Sequence, residues 1–216
     1  MYDHLKNAGN VFDVFKHGLL MKAVEYDPPS LYFESHCGYA SYSKPELWES
    51  SWIKVQRETK CGCILCDINP EVITFNIDKA NDIEPFFFIY ADGFEEAKKF
   101  ARIEVPPDLF FIDPPYKDDS DWNKVTDLTT YFSETRNCVN RVNRWIVWYP
   151  IFANGLTFKS QVPAVEMYWT TPENLHGCGM AFGGDFNETD MENIHSCLGF
   201  LQWCTSATRV EKINGT

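Results

Sequence analysis

The sequence predicts an α/β fold, a mostly parallel sheet with an antiparallel edge strand, and three observations carry that reading. Short apolar runs alternate with longer amphipathic stretches from residue 11 to residue 149, the order in which strands and crossover helices build a parallel sheet. The connections are short, and no repeat, low-complexity tract or linker interrupts them. Hydrophobic residues make up 44% of the 216 and aromatics 16%, ample for a core and enough to exclude intrinsic disorder.

In order along the chain, Val11 to Val24 comes first as a helix. Val11, Val14, Phe15, Leu19 and Ala23 fall on one stripe, with Asn10 as N-cap and Asp13 at the capping-box position. Asp27-Pro28-Pro29 stops it. Leu31 to Glu34 reads as the first strand, running into a loop over 35–39. A polar stretch from Pro45 to Lys60 reads as helix. Ile64 to Ile68 is the second strand, Phe86 to Tyr90 the third and Leu109 to Ile112 the fourth, with a helix over Phe94 to Ala101. Trp122 to Val142 is a long, breakable helical pattern, and Trp145 to Tyr149 a fifth strand stopped by Pro150. Val162 to Thr170 and Gly179 to Gly183 form a late antiparallel pair at one edge.

The length is that of one large domain, with residues 1–29 holding the first helix and 30–216 the sheet core. No apolar run reaches the roughly eighteen residues of a membrane span. Met1 is followed by Tyr-Asp-His rather than by a basic and then greasy leader. The chain is therefore expected to be soluble and cytoplasmic. Its net charge of -12 argues, taken alone, against a polyanionic partner. That charge is uneven: residues 1–60 carry -1, residues 61–135 carry -10 and residues 136–216 carry -1.

Eight cysteines without a leader read as reduced thiols. Cys61, Cys63 and Cys66 lie close enough in sequence to suggest a zinc or iron–sulfur site. Strand periodicity favours a buried strand instead, with Cys61 and Cys63 on one face and Cys66 on the other. No metal is expected.

The sharpest chemical signal is Asp113-Pro114-Pro115-Tyr116, directly after the apolar run Leu109 to Ile112. Two prolines fix extended backbone at the carboxyl end of a strand, where open α/β sheets bind ligands. Pro-Pro can also simply end a strand. Here, however, Asp113 and a nearby carbonyl can accept hydrogen bonds from an exocyclic amino group, steering its nitrogen lone pair toward an electrophilic methyl. Tyr116 can offer a flat face to an extruded base. The run resembles the four-residue signature of amino methyltransferases that act on adenine N6. Glu34-Ser35-His36-Cys37-Gly38, Asp67 and Asp92-Gly93 follow the first three strands in turn, and an acid after the second strand suits ribose hydroxyls. At the N-terminus stand Tyr2, His4, Ala8, Gly9, Asn10, Asp13, Lys16 and His17.

These blocks resemble the bacterial 23S rRNA adenine-N6 methyltransferases that act alone on naked rRNA. The match takes in Tyr2, His4, Ala8, Gly9, Asn10, Asp13, Lys16 and His17, then His36 and Gly38, Asp92-Gly93-Phe94, Asp113 to Tyr116, Trp148-Tyr149-Pro150 and Gly179-Met180. The resemblance implies a Rossmann-like class I methyltransferase fold and S-adenosyl-L-methionine as cofactor. It implies that His17, His36, Gly38, Asp67, Asp92, Gly93 and Asp113 bind that cofactor. Asp113, with Pro114, Pro115 and Tyr116, would be catalytic, and Tyr2, His4, Lys16 and Tyr116 would meet the target base. The partner implied is RNA, naked 23S rRNA, with the chain acting as a monomer. Lys6, Lys16, Lys22, Arg136, Arg141 and Arg144 would supply local positive charge. The chain departs from the family at Asn7, Glu34, Cys37, Tyr39, Ala40, Asp67 and 186–189, and the stretch between His36 and Cys61 is too short for the family's helical insertion. Three other readings stand beside this one: a DNA adenine-N6 methyltransferase, a non-catalytic binding relative, and a cysteine-ligated metal protein.

Overall fold

A computed structural model describes residues 10–40, 49–80, 86–135, 142–170 and 175–215. The expected strands appear as β1 (Leu31–Glu34), β2 (Gly62–Asp67), β3 (Phe86–Tyr90), β4 (Leu109–Ile112) and β5 (Arg144–Phe152), all parallel. They are followed by β6 (Ala164–Tyr168), β7 (Leu175–Gly184) and β8 (Arg209–Ile213), and the sheet runs β3-β2-β1-β4-β5-β7-β6-β8. The last three strands join it antiparallel. This is the Rossmann-like class I methyltransferase arrangement.

The antiparallel edge is three strands deep rather than one pair. β7 sits inside, between β5 and β6, and the true edge is β8, which the sequence reading did not find. Arg209-Val210-Glu211-Lys212-Ile213 is short and three-fifths charged, so it carries almost no strand signal. Pro150 does not stop β5, which continues to Phe152. The register explains why. β4 pairs β5 only as far as Val147, and the Trp148 carbonyl, on the side β4 has vacated, accepts from the Tyr116 hydroxyl at 2.7 Å. Pro150, two residues on, aims its nitrogen to that same side, where no ladder bond is lost.

Helices cover both faces. α1 (Val11–Tyr26), α2 (Ser51–Thr59), α3 (Pro70–Ala80), α6 (Glu188–Ser196) and α7 (Leu198–Thr205) pack on one face. α4 (Gly93–Phe100) and α5 (Asp119–Glu134) pack on the other. The strands alternate accordingly. Tyr32, Cys63, Leu65, Leu109 and Phe111 face the first layer, while Phe33, Ile64, Cys66, Phe110 and Ile112 face the second. Asn10 caps α1 as expected, accepting from the amides of Phe12 and Asp13. Helix α3, which the sequence reading passed over, carries its buried face at Val72, Ile73, Asn76 and Ala80.

The cysteines divide by face. Cys61 and Cys63 lie in the first core and Cys66 in the second, as period-two strand geometry requires. Among the described residues no group of three or more His, Cys, Asp or Glu is placed to hold a metal. No described helix is long and apolar enough to cross a membrane.

Two glycines of β7 exist to admit rings from β5. Opposite Gly179 lies Tyr149, and opposite Gly183 lies Trp145. A Cβ at Gly179 would come within 2.2 Å of the Tyr149 ring, and one at Gly183 within 2.0 Å of Trp145. Each ring crosses β7 on bare backbone, which lets Tyr149 reach Glu166 on β6 with its hydroxyl at 2.9 Å. Gly179→Ala and Gly183→Ala should therefore each cost about 1–3 kcal/mol by overpacking. Gly199→Ala, where nothing lies within 4 Å, should not destabilise; urea unfolding of the three variants measures the difference.

Candidate active site at the carboxyl ends of the strands

β1 and β4 are neighbours, and the chain leaves them toward opposite halves of the sheet. The loops after Glu34 and Ile112 therefore open a crevice between them, the place where such sheets take ligands. Asp113 stands at its centre. Lys16 of α1 places Nζ 2.7 Å from Asp113 Oδ2 and 3.2 Å from Asp13 Oδ1, with the Lys16 and Asp113 side chains each 11% exposed. A pair this dry costs stability if either partner is removed, because the other is left charged and unsolvated. The same ammonium lies over Trp148, 5.5 Å from the ring centre.

After Asp113, two prolines lead to Tyr116, which takes a positive φ of 49°. A non-glycine residue held there stores strain that the surroundings must enforce. Here they do: the hydroxyl is tied to Trp148, and the ring packs 4.4 Å from Trp122 and 6.0 Å from Trp148. Burial drives the Tyr116 phenol well above its usual pKa, with Asp113 adding to the effect, so it stays a donor. The open flat face expected of Tyr116 is absent. The residue is 8% exposed, and its ring belongs to a wall shared with Trp122 and Trp148.

The turn after β1 is built from both sides. Ser35 is fully buried, with Oγ 2.7 Å from His36 Nδ1 and 3.4 Å from the Asp113 amide. The His36 ring stands edge-on to Phe94 at 5.0 Å. Gly38 has φ +58° and donates its amide to Asp67 Oδ2 at 3.2 Å, joining the ends of β1 and β2. Asp67 Oδ1 accepts from Asn69 at 2.8 Å. At the end of β3, Asp92 caps α4 through Phe94 and pairs with Lys124 at 2.8 Å. Burial opposes its charge, but Lys124 and the Phe94 amide outweigh that and hold the carboxyl below its usual value. Gly93 backs against the first turn so closely that a Cβ would lie 1.8 Å from the Ser35 carbonyl. Ile68 and Tyr90, 65% and 62% exposed, stand beside Asp67 and Asp92, two large apolar side chains left uncovered at the strand ends.

His36, Gly38, Asp67, Asp92, Gly93, Asp113 and Lys16 thus converge on one edge of the sheet. His17 lies behind them, buried, with Nδ1 2.9 Å from Lys54 Nζ. Burial first, then Lys16 and Lys54, hold its imidazole well below the usual pKa, so it is neutral at pH 7 and Nδ1 accepts. Tyr2, His4, Lys6, Arg136 and Arg141 lie outside the described residues. Two of the expected basic residues do not serve the crevice. Arg144 is buried at the amino end of β5, paired with Asp27 at 3.0 Å, and Lys22 pairs with Glu25 at 2.7 Å.

The sequence reading missed the residues that hold the turns. Asn76 of α3 is fully buried, donates to the Gly38 carbonyl at 2.7 Å and accepts the Ala40 amide at 2.7 Å. The available signal was an asparagine on the apolar stripe of a helix. Glu34, expected at the end of the first strand with no role of its own beyond the turn, is 1% exposed and accepts from the hydroxyls of Tyr32 and Ser51. Burial raises its pKa from 4.5 to about 8, partly offset by those two hydrogen bonds.

Comparison with known proteins returns structures rather than sequences. No family model matches the chain, and no curated protein does. A Legionella pneumophila protein of the family model DUF519 superposes with a TM-score of 0.74 over 97% of this chain and 98% of its own, at 18% identity. The N-methyltransferase NodS from Bradyrhizobium japonicum, crystallised with S-adenosyl-L-homocysteine, gives 0.53 at 12% identity over 82% and 89%. An S-adenosylmethionine-dependent methyltransferase from Agrobacterium tumefaciens gives 0.51 at 11% over 81% and 62%. At such identities the likeness is one of fold.

Glu34 sets a pH dependence of stability. A carboxyl raised by folding costs nothing below its unfolded pKa, and stability then falls as pH climbs from 4.5 to about 8. Glu34→Gln removes that loss. Its advantage over the parent protein should grow through this window to a few kcal/mol, on the order of the linkage relation, and then level off. Chemical denaturation at several pH values measures it.

Proposed function

We propose that the chain is an S-adenosylmethionine-dependent methyltransferase that methylates N6 of adenine in RNA, with naked 23S rRNA as the substrate its motifs resemble. The observation that carries the reading is Asp113-Pro114-Pro115-Tyr116 at the crevice between β1 and β4, with Lys16 on Asp113 Oδ2. The fold likeness to proteins of known methyl transfer supports it.

The donor set suits the cofactor. Asp67 beside the uncovered Ile68 offers a carboxylate for hydroxyls and an apolar surface for a ring. The turn at Gly38 carries no side chain to block close approach, and Gly93 packs its bare backbone against Ser35, drawing the ends of β1 and β3 together. With His17 supporting the site from behind, His36, Gly38, Asp67, Asp92 and Gly93 would hold S-adenosylmethionine, which supplies a methyl group activated on a sulfonium. Asp92 would do so while still paired to Lys124.

The chain's own part is orientation and charge. Lys16 occupies Oδ2 of Asp113, which leaves Oδ1 to accept a hydrogen bond from the adenine amino group. That bond, with one to a loop carbonyl, turns the N6 lone pair out of the ring's conjugation and stabilises positive charge as the new bond forms. The rigid backbone of Pro114 and Pro115 fixes where Oδ1 points. The wall of Tyr116, Trp122 and Trp148 receives the base, with Tyr116 anchoring the wall rather than standing free.

Asp113→Ala should cut transfer by roughly a thousandfold or more, with binding of S-adenosylhomocysteine largely kept. A tritium-transfer assay offering naked rRNA, single strands and duplex DNA in parallel measures this and chooses the substrate. Preference for duplex DNA would replace the RNA reading, and unchanged turnover in the variant would end the mechanism.

A further inference from the structure

Cys61 and Cys63 are unused by the proposed chemistry, yet their placement is unusual. The turn out of α2 and the first residues of β2 bring both side chains to the same face, Sγ to Sγ 3.8 Å apart, while Cys66 points into the opposite core. Among the described cysteines no disulfide is formed. The Cys63 hydrogen bond draws the Cys61 thiol below its usual pKa against its burial, and the same contact pushes Cys63 up. In such a shared contact one sulfur carries the proton while the other is the readier nucleophile. Cys61 is itself only 3% exposed, but it is hydrogen-bonded to a residue that lines a surface cleft. Its amide donates to Thr59 Oγ1 at 3.2 Å, and Thr59 walls a cleft of about 380 Å³ lined further by Met21, Val24, Glu25, Pro28 and Glu58.

The pair is connected to the candidate active site by strand register. Cys63 is the partner of Tyr32 on β1, and the two side chains share one core with Cys61. Tyr32 donates its hydroxyl to Glu34 at 2.7 Å, and Glu34 opens the turn whose next residue, Ser35, contacts the Asp113 amide. A disulfide needs its sulfurs at about 2.05 Å, well short of the present 3.8 Å. Closing that gap in a tightly packed core shifts the packing around both sulfurs, and Tyr32 is the residue paired with Cys63 across β1.

We propose that Cys61 and Cys63 form a peroxide-oxidisable dithiol whose disulfide displaces Tyr32 and loosens the turn at Glu34 and Ser35. The step balances. The Cys61 thiolate attacks a peroxide oxygen, giving a sulfenic acid and releasing the second oxygen as water after protonation. Cys63 sulfur then attacks the sulfenic sulfur, expelling a second water and leaving the disulfide. Two thiols are oxidised by two electrons and one hydrogen peroxide is reduced to two waters. A bridge across a single intervening residue constrains little chain, and a strained one is readily reduced, so the bond suits a reversible device rather than a staple. The proposal is independent of which substrate the site methylates.

The test treats the folded, reduced protein with hydrogen peroxide and maps its peptides by mass spectrometry, with and without subsequent dithiothreitol. The expected product is a Cys61–Cys63 bond that dithiothreitol reverses. Hydrogen exchange should accelerate at the amides of residues 32–36 on oxidation, and the change should be absent in Cys63→Ser and retained in Cys204→Ser. Oxidation at the exposed Cys204 with Cys61 and Cys63 left as thiols would overturn the proposal. So would a bond that forms without any change in exchange at 32–36. Because both readings are made on the parent protein, the proposal stands or falls even where the Cys63→Ser variant does not fold.

Discussion

The ion pair between Lys16 and Asp113 joins residues 97 positions apart, and the candidate site depends on it. It fixes the first helix against the loop after the fourth strand. The contact is nearly dry, and Lys16 is shared with Asp13 one turn earlier on its own helix. The pair therefore orients α1 as well as neutralising Asp113. That orientation carries His17 into the core beside Lys54 and presents Phe12 and Phe15 to Trp169 at 5.0 and 6.4 Å. On the other flank, Gly18 accepts Leu201 of α7 against bare backbone. One polar contact thereby sets how three helices meet the sheet.

Around it, loop ends are tied by side chains rather than by ladder bonds. Asp67, Asn76, Ser35 and Glu34 each bind backbone or hydroxyl groups from a different element. A turn held this way is rigid without regular structure, which a site needs if its reacting groups are to stay within a fraction of an ångström of position. Burying Glu34 has a cost that rises with pH, and its two hydroxyl partners offset part of it. Polar groups kept in a core despite such a cost often fix one arrangement among several of similar energy.

The sheet was legible in the sequence because β1, β2, β4 and β5 are largely buried on both faces and, like the more exposed edge strand β3, read as apolar runs. Leu109 to Ile112 is wholly buried and could hardly be anything else. Where an element faces solvent or is held by a long-range partner, the signal fades. β8 is mostly polar, and α3 begins at Pro70 in a run with little bias in charge. At the site, residue types and their strand-end positions were readable at Asp67, Asp92 and Asp113, since carboxyl ends follow directly from strand assignment. What each side chain touches was not. Tyr116 is covered by Trp122, six residues further on in the chain, and by Trp148 from another strand. Arg144 turned out to be at the amino end of its strand because β5 starts a residue earlier and is parallel to β4. Both depend on packing between segments, which one-dimensional periodicity does not encode.

Net charge is the sharpest case. The -10 carried by residues 61–135 suggests a surface hostile to a polyanion, yet several of its acids are occupied by backbone. Asp108 accepts the amides of Ser30 and Leu31, pinning the start of β1 beside β4. Asp67 accepts Gly38 and Asn69, Asp92 caps α4 and pairs with Lys124, and Asp118 caps α5. A fold with many short strands and helices has many terminal amides to satisfy, and carboxylates satisfy them well. Part of the acidity of this third is therefore structural, spent at element ends. The field a nucleic acid would meet is set by where the remaining charges project, and formal charge summed over a segment does not contain that information.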